Sequence, residues 1–280
     1  MTFSGSASAW VESPLQLLCA VEYAAHAGIP LRVVPRAGAA QLATTAEHLR
    51  GLGLPAGVQI EAPRAVPAIS PAHAVIGDAF SGRVQSAMAI RMPQRLTIVD
   101  DGSMSLRLPA VLGGTREPSR DRAASTLARL AGSRLRTLSA AGALELFSYY
   151  PLAHPAATRN RFEWLSAHSG PSAFTGAVIL GSAAVADGLL GEEAYLGWVA
   201  RQTPGAYYLP HRREQPRLLG RVATLGFEVV ETGLPVELVL AGARSLTISS
   251  LASSAVDTLR VLLADSGSRL LVDDRVAVAA

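Results

Sequence analysis

Lysine is absent from this 280-residue chain: all 25 basic residues are arginine, set against 22 acidic ones. The resulting net charge of +3 is mild and does not argue for nucleic acid, which asks for a basic patch or stripe. Cysteine occurs once, at Cys19, so no internal disulfide can form. Flanked by Leu17, Leu18 and Ala20, Cys19 reads as a buried packing residue rather than a nucleophile. No Cys/His spacing has the form of a zinc site. No uncharged apolar run is long enough for a membrane-spanning helix. The start lacks the succession of basic segment, compact apolar block and small-residue cleavage site, and Glu12 and Glu22 interrupt its apolar run. A secretory signal is therefore not expected, and a cytoplasmic location is.

What is present is a chain that is 49% hydrophobic, with the apolar residues distributed along its length. Short β-like runs alternate with Ala/Leu/Arg-rich helical stretches such as 39–52 and 192–201. The predicted strands fall at 7–11, 31–34, 58–61, 74–76 and 96–99, then at 144–149, 177–180, 206–209, 228–231 and 246–248. Strand–helix–strand repetition implies an α/β architecture with parallel sheets. The segment Pro151–Pro171 carries Pro, His, Asn, Ser and Gly with one short helical stretch near 161–167, and it divides the strands into two series. The expectation is two Rossmann-like lobes, residues 1–165 and 166–280, with ligands at the carboxyl ends of the strands and a cleft between the lobes.

Four short stretches follow predicted strands. In Glu12-Ser-Pro-Leu-Gln-Leu17, Ser13 suits an N-cap, Pro14 the first helical position and Gln16 a capping box; a helix so capped also presents free N–H groups. Val99-Asp100-Asp101-Gly102-Ser103 is either a plain turn or a strand end carrying a general base. A metal reading is weaker, because no second carboxylate cluster accompanies it. Asp273-Asp274-Arg275 is a similar pair read as surface. Ala206-Tyr-Tyr-Leu-Pro-His-Arg-Arg-Glu-Gln-Pro216 offers His211, Arg212 and Arg213, a set that can hold an anion or form an exposed polar loop. Thr247-Ile-Ser-Ser-Leu-Ala-Ser-Ser-Ala-Val256 runs a strand into a serine-rich helix start, suited to capping by Ser250 or Ser253 or to phosphate binding. Separately, Arg116, Arg120, Arg122, Arg129, Arg134 and Arg136 make a basic region, readable as a solvated face or as a peripheral contact for an anionic membrane or acidic polymer.

Taken in order, Ser-Pro-Leu-Gln, Asp-Asp-Gly, His-Arg-Arg-Glu and Ser-Ser-Ala-Val resemble the bacterial sialyltransferase and polysialyltransferase group, which carries an acidic-acidic-Gly, a His-Pro and a Ser-Ser motif in this sequence. Ile76-Gly77-Asp78 and Pro235-Val236-Glu237 agree with it, and the likeness runs from about Ser13 to Leu259. The chain departs in one place: Arg212 follows His211 where the group has proline. A literal His154-Pro155 exists, but it lies in the expected linker without the strand context. The resemblance implies a GT-B-like fold of two Rossmann-type lobes and inverting transfer from CMP-sialic acid to a glycan acceptor, with no essential metal or other cofactor. It further implies Asp101 as base, with Asp100 second and Gly102 completing the motif, and His211 against the departing phosphate. Ser253 and Ser254 would bind that phosphate, Glu237 the ribose hydroxyls, and Arg212 or Arg213 the phosphate or sugar carboxylate, with Ser13 and Gln16 on the donor side. Two alternatives remain beside it: another CMP-nonulosonate donor such as CMP-Kdn, and a catalytically silent binder of anionic glycans.

Overall fold

A computed structural model describes residues 7–67, 69–121 and 124–274. The chain divides into two compact units, Met1–His168 and Ser169–Ala280. The first contains β1 (Ala7–Val11), α1 (Pro14–Ala27), β2 (Leu31–Pro35), α2 (Ala40–Leu52), β3 (Val58–Ile60), β4 (His73–Ile76), α3 (Gly82–Ile90) and β5 (Arg95–Val99). A 3-10 turn at Met104–Arg107 leads to α4 (Leu108–Leu112), α5 (Thr126–Ala140), β6 (Leu144–Ser148), β7 (Ala157–Arg159) and α6 (Glu163–His168). Its seven strands are ordered β3-β2-β1-β4-β5-β6-β7, and every neighbouring pair is parallel.

The second unit contains β8 (Ala177–Leu180), α7 (Glu192–Val199), β9 (Tyr207–Leu209), α8 (Pro216–Thr224), β10 (Glu228–Val229), α9 (Val236–Leu240), β11 (Thr247–Leu251), α10 (Ser254–Leu262) and β12 (Arg269–Asp273). Its order is β10-β9-β8-β11-β12, again wholly parallel. In each unit the chain winds outward from a first strand, then returns to that strand's other side. The reversal opens a crevice at the carboxyl ends, between β1 and β4 in one unit and between β8 and β11 in the other.

Parallel strands are covered on both faces, so they read as continuous apolar runs. All five residues of β1 are buried. In β8 the period-two geometry separates the faces. Ile179 packs with Tyr195, Trp198 and Leu219, while Val178 and Leu180 pack with Leu240 and Leu259. In the first unit Trp10, Ile76, Ile98 and Leu146 line one sheet face and receive Val84 and Met88 of α3 and Leu135 of α5.

The segment Pro151–Pro171 contributes edge strand β7 and helix α6 to the first unit, and the two units divide after His168. Glu22 of α1 fixes α6 by accepting from the backbone N–H of Trp164 at 3.1 Å and of Leu165 at 2.7 Å. Edge strand β7 is three residues without an apolar run, which local pattern does not reveal, while β12 carries Leu270-Leu271-Val272 but no fully buried residue. Asp273 ends edge strand β12 half-buried, Asp274 is exposed, and Arg275 falls outside the described residues. Cys19 is fully buried on α1, with Asn160 Nδ2 3.6 Å from its sulfur. Among the described residues no helix is long and apolar enough to cross a membrane.

Candidate active site

In the first unit the carboxyl ends of β1, β4 and β5 bring Ser13, Gln16, Asp78 and Asp101 together. Ser13 caps α1: its Oγ accepts from the Gln16 N–H at 3.2 Å. Gln16 folds back, but its Oε1 takes the Glu12 N–H at 2.7 Å rather than that of Ser13. Its carboxamide nitrogen is thereby turned outward and donates to Asp101 Oδ1 at 2.6 Å; Ser13 Oγ lies 3.5 Å from the same oxygen. Capping and site-building are thus performed by the same two side chains. Gly77 makes room for this, since a Cβ there would overlap the Gln16 side chain.

The two acidic neighbours have opposite surroundings. Asp100 is fully buried, and its oxygens accept from Ser148 Oγ and the Tyr149 N–H, each at 2.6 Å. Burial raises it to about 6. Asp101 remains partly exposed at the turn, where Gly102 adopts a left-handed φ of 68°. Its carboxyl is held above the ordinary carboxylate range, first by burial and then by the negative charge of Asp78, against the lowering bond from Gln16.

Asp78 and Arg120 complete the cluster. Asp78 accepts from the Phe80 N–H at 2.7 Å and from Arg120 Nη2 at 2.7 Å; the same Nη2 lies 3.4 Å from Asp101 Oδ2. The loop bearing Arg120 is anchored by Gln85, whose Nε2 donates to the Pro118 carbonyl at 2.6 Å. Arg120, in the region readable from sequence as a solvated face or a peripheral contact, stays exposed while its Nη2 pairs with two carboxylates. Arg134 donates to the Met88 carbonyl and Arg136 pairs with Glu117 at 3.3 Å, so three members of that region have internal partners. Arg116 and Arg129 are exposed, and Arg122 lies outside the described residues.

In the second unit His211 follows β9. Its Nδ1 accepts from the Arg213 N–H at 3.2 Å, which leaves the proton on Nε2 in the neutral ring. Burial and the charges of Arg212 and Arg213 hold its pKa below the usual histidine range. The backbone N–H of His211 donates to Glu214 Oε2 at 2.7 Å. Glu214 also accepts from Tyr208 Oη at 2.6 Å, Tyr208 shares a 2.6 Å bond with Tyr195, and the Ser182 N–H donates to Tyr195 at 3.1 Å. The loops after β8 and β9 are tied by this chain. Gly181 permits the closeness, since a Cβ there would strike Glu214 and the His211 nitrogen. Glu214 had no assigned role in the sequence reading; its position just past a strand was the available signal.

Arg212 and Arg213 are both exposed, and Arg213 pairs with Asp187. Ser253 is the N-cap residue of α10, but its hydroxyl makes no capping bond. Ser253 and Ser254 are exposed at the α10 N-terminus, beside the β8–β11 crevice. Ser250 lies in β11 and donates to the Leu251 carbonyl at 2.7 Å, so it is no cap. Glu237 at the start of α9 is only 5% exposed; it accepts from Thr258 Oγ1 at 2.6 Å, and burial raises its pKa. His154 sits in a turn, its Nδ1 accepting from the Ala156 N–H at 3.1 Å. Among the described residues no group of three or more His, Cys, Asp or Glu side chains is placed to hold a metal ion.

No protein-family model matches the chain, and no curated protein sequence matches it. Solved structures similar to it include the Escherichia coli heptosyltransferase WaaC with ADP, at 15% identity and a TM-score of 0.46, covering 97% of this chain and 93% of that one. A UDP-glucosyltransferase from Polygonum tinctorium, described as capable of glucosylating indoxyl and 3,4-dichloroaniline, has 12% identity, a TM-score of 0.44 and coverage of 99% and 88%. LpCGTa in complex with UDP has 11% identity, a TM-score of 0.41 and coverage of 94% and 84%.

Proposed function

We propose that this chain is a GT-B-type inverting glycosyltransferase that moves a nonulosonic acid, of the sialic acid class, from a CMP-sugar to a glycan hydroxyl without a metal ion. One observation supports the reading above others: the ordered sequence motifs fall on the carboxyl-end loops of two separate doubly wound sheets, bordering the crevice that each strand order creates. In a donor of this kind the anomeric carbon bears both a carboxylate and the phosphate leaving group. Its transition state is oxocarbenium-like, so catalysis asks for a base on the acceptor hydroxyl and a stabiliser of the departing phosphate.

Asp101 takes the base role. Gln16 and Ser13 orient its Oδ1, and its raised pKa gives it more proton affinity than an exposed carboxylate. Asp100, with both oxygens engaged inside the fold, supports the turn instead. His211 meets the leaving phosphate as a neutral Nε2–H donor, which agrees with its lowered pKa and its engaged Nδ1. Ser253, Ser254 and the unengaged N–H groups of α10 bind the same phosphate. Glu237, one oxygen of which accepts from Thr258, is the acceptor assigned to the ribose hydroxyls, and Arg212 is the freer of the two arginines to meet the sugar carboxylate.

The test is a thermal-shift series with CMP, CDP, UDP and GDP, followed by CMP release from CMP-sialic acid with and without acceptor. CMP saturating at about 100 times Kd should stabilise by roughly 2.7 kcal/mol. Asp101→Ala and His211→Ala should each lower transfer by about 10²–10⁴. Stabilisation by UDP or GDP but not CMP overturns the donor class. Acceptor-dependent turnover that survives in Asp101→Ala overturns the base assignment, and CMP binding with no release favours the silent binder.

A further inference from the structure

The cluster at the carboxyl ends of β1, β4 and β5 holds more negative than positive charge. Two carboxylates bear on Asp101: Asp78 from the loop after β4 and Glu12 from the segment before α1. Asp100 is turned into the fold, toward Ser148 and Tyr149. The opposing cation is the Arg120 guanidinium. Its Nη2 sits 2.7 Å from Asp78 Oδ2 and 3.4 Å from Asp101 Oδ2, so one nitrogen serves both carboxylates.

The fold fixes this arrangement from both sides. Asp78 is only 5% exposed, and its other oxygen accepts from the Phe80 N–H at 2.7 Å. Buried Gln85 donates through Nε2 to the Ala79 carbonyl at 3.0 Å and to the Pro118 carbonyl at 2.6 Å. The loop carrying Asp78 is thereby tied to the loop carrying Arg120. On Asp101 the two oxygens are treated differently. Gln16 engages Oδ1 closely, at 2.6 Å, and the longer contact with Arg120 leaves Oδ2 the more open to a proton. Carboxylates at short range disfavour each other's ionisation, and a cation between them restores it. A base that is already protonated cannot take a proton, so the ion balance of this cluster decides whether Asp101 can act.

We infer that Arg120, anchored by Asp78, is a positioning residue for Asp101: it keeps that carboxylate ionised and fixes Oδ2 to receive the proton of the acceptor hydroxyl. The role rests on the transferase reading. There the hydroxyl oxygen bonds to the anomeric carbon, its proton passes to Asp101 Oδ2, and the bond to the phosphate breaks with its electron pair leaving on CMP. Arg120 acts in this step through Asp101 and not on the substrate.

The experiment follows the Asp101 titration by carboxyl-carbon NMR in the donor-free, full-length protein, together with the pH profile of transfer, in Arg120→Gln, Arg120→Lys and Asp78→Asn. Arg120→Gln removes a cation and should raise the Asp101 midpoint. It should lower kcat/KM several-fold on the rising limb and approach the parent on the alkaline side. Arg120→Lys keeps the charge and should return both readouts most of the way to the parent. Asp78→Asn removes a negative charge and should move the midpoint and the rising limb to lower pH. If Arg120→Gln fails to fold, the downward shift in Asp78→Asn still decides the matter. An Asp101 midpoint unmoved by these substitutions, or a loss of activity equal at every pH, marks a mere fastening of the loop and overturns the proposal. So does an upward shift in Asp78→Asn. Midpoints that shift as stated in a protein releasing no CMP from CMP-sialic acid overturn the transferase reading and leave the coupling of Arg120 to Asp101 standing. Unmoved midpoints in an active transferase overturn the coupling alone.

Discussion

Asp100 and Asp101 adjoin in the chain and differ in everything that matters to their chemistry. Asp100 holds Ser148 and the Tyr149 backbone inside the fold, so Asp100→Ala leaves two buried donors unpaired. We expect a loss of about 2–5 kcal/mol, read as a lower urea midpoint at unchanged slope. Asp101→Ala removes a partly exposed group and should keep the unfolding free energy within about 1 kcal/mol of the parent. Equal destabilisation by the two would contradict this division of labour. Gly77 is a second residue-scale test. A methyl there displaces the Gln16 carboxamide and with it the bond that lowers the Asp101 pKa. Gly77→Ala should therefore fold and raise the Asp101 titration midpoint further, as carboxyl-carbon NMR would show; a lower midpoint would refute the role of Gln16.

At the scale of elements, a polar chain joins β4, β5, β6 and α1 across the first sheet. His73 Nε2 contacts Thr97 Oγ1 at 2.9 Å, Thr97 donates to Tyr23 Oη at 3.0 Å, and Tyr23 donates to Glu145 at 3.0 Å. Glu145 also pairs with Arg95 at 2.9 Å. Burial, aided by the Arg95 charge, lowers His73 to about 4, against the opposing pull of Glu145. The unfolded chain thus binds a proton more tightly than the folded one between pH 6.5 and 4. The stability His73 contributes is present above pH 6.5 and declines as pH falls through that window, by ~3 kcal/mol in all. Glu22, raised to about 7, acts in the opposite sense over pH 4.5 to 7. The check is therefore a difference: stability of the parent minus that of His73→Gln should shrink from pH 7 to pH 4.5. A constant difference would contradict the burial of a neutral ring. In the second unit the corresponding element is the α10 N-terminus. Replacing Ser253 and Ser254 with Ala should cut CMP-induced stabilisation at least severalfold while leaving the ligand-free melting temperature close to the parent, because neither hydroxyl carries a bond within the fold.

At the scale of the molecule, one winding rule operates twice, in a seven-stranded and a five-stranded sheet. Each sheet gathers loops that are remote in sequence, which is how Ser13, Asp78 and Asp101 meet, and how Ser182 joins Tyr195, Tyr208 and Glu214. On the proposed mechanism, the pH profile of transfer has its rising limb on Asp101, above the ordinary carboxylate range, because that carboxyl is raised. Activity should increase as Asp101 deprotonates. It should show no descending limb from His211, because the lowered pKa favours the neutral donor form. A descending limb removed by His211→Gln would mean the imidazolium is the working form.

The strands β1 and β8 were legible residue for residue, because burial on both faces leaves an apolar run, broken only by the small Ser8 in β1, that local pattern alone reveals. The Ser13 cap and Pro14 opening of α1 were legible because they act on immediate neighbours, whereas the expected capping box was not formed, Gln16 Oε1 taking the Glu12 N–H instead. Local chemistry therefore determined the elements, their alternation and the loops that follow the strands. Partnership across long sequence separations was decided only by the tertiary structure. That exposed Arg120 pairs with Asp78 and Asp101 depends on where Gln85 holds its loop, through Pro118, 33 residues away in sequence. That Asp100 is enclosed while Asp101 stays accessible depends on β6 lying beside β5. A side chain's charge, access and proton affinity follow from its neighbours in space, and the strand order that chooses those neighbours is written in no single stretch of the chain.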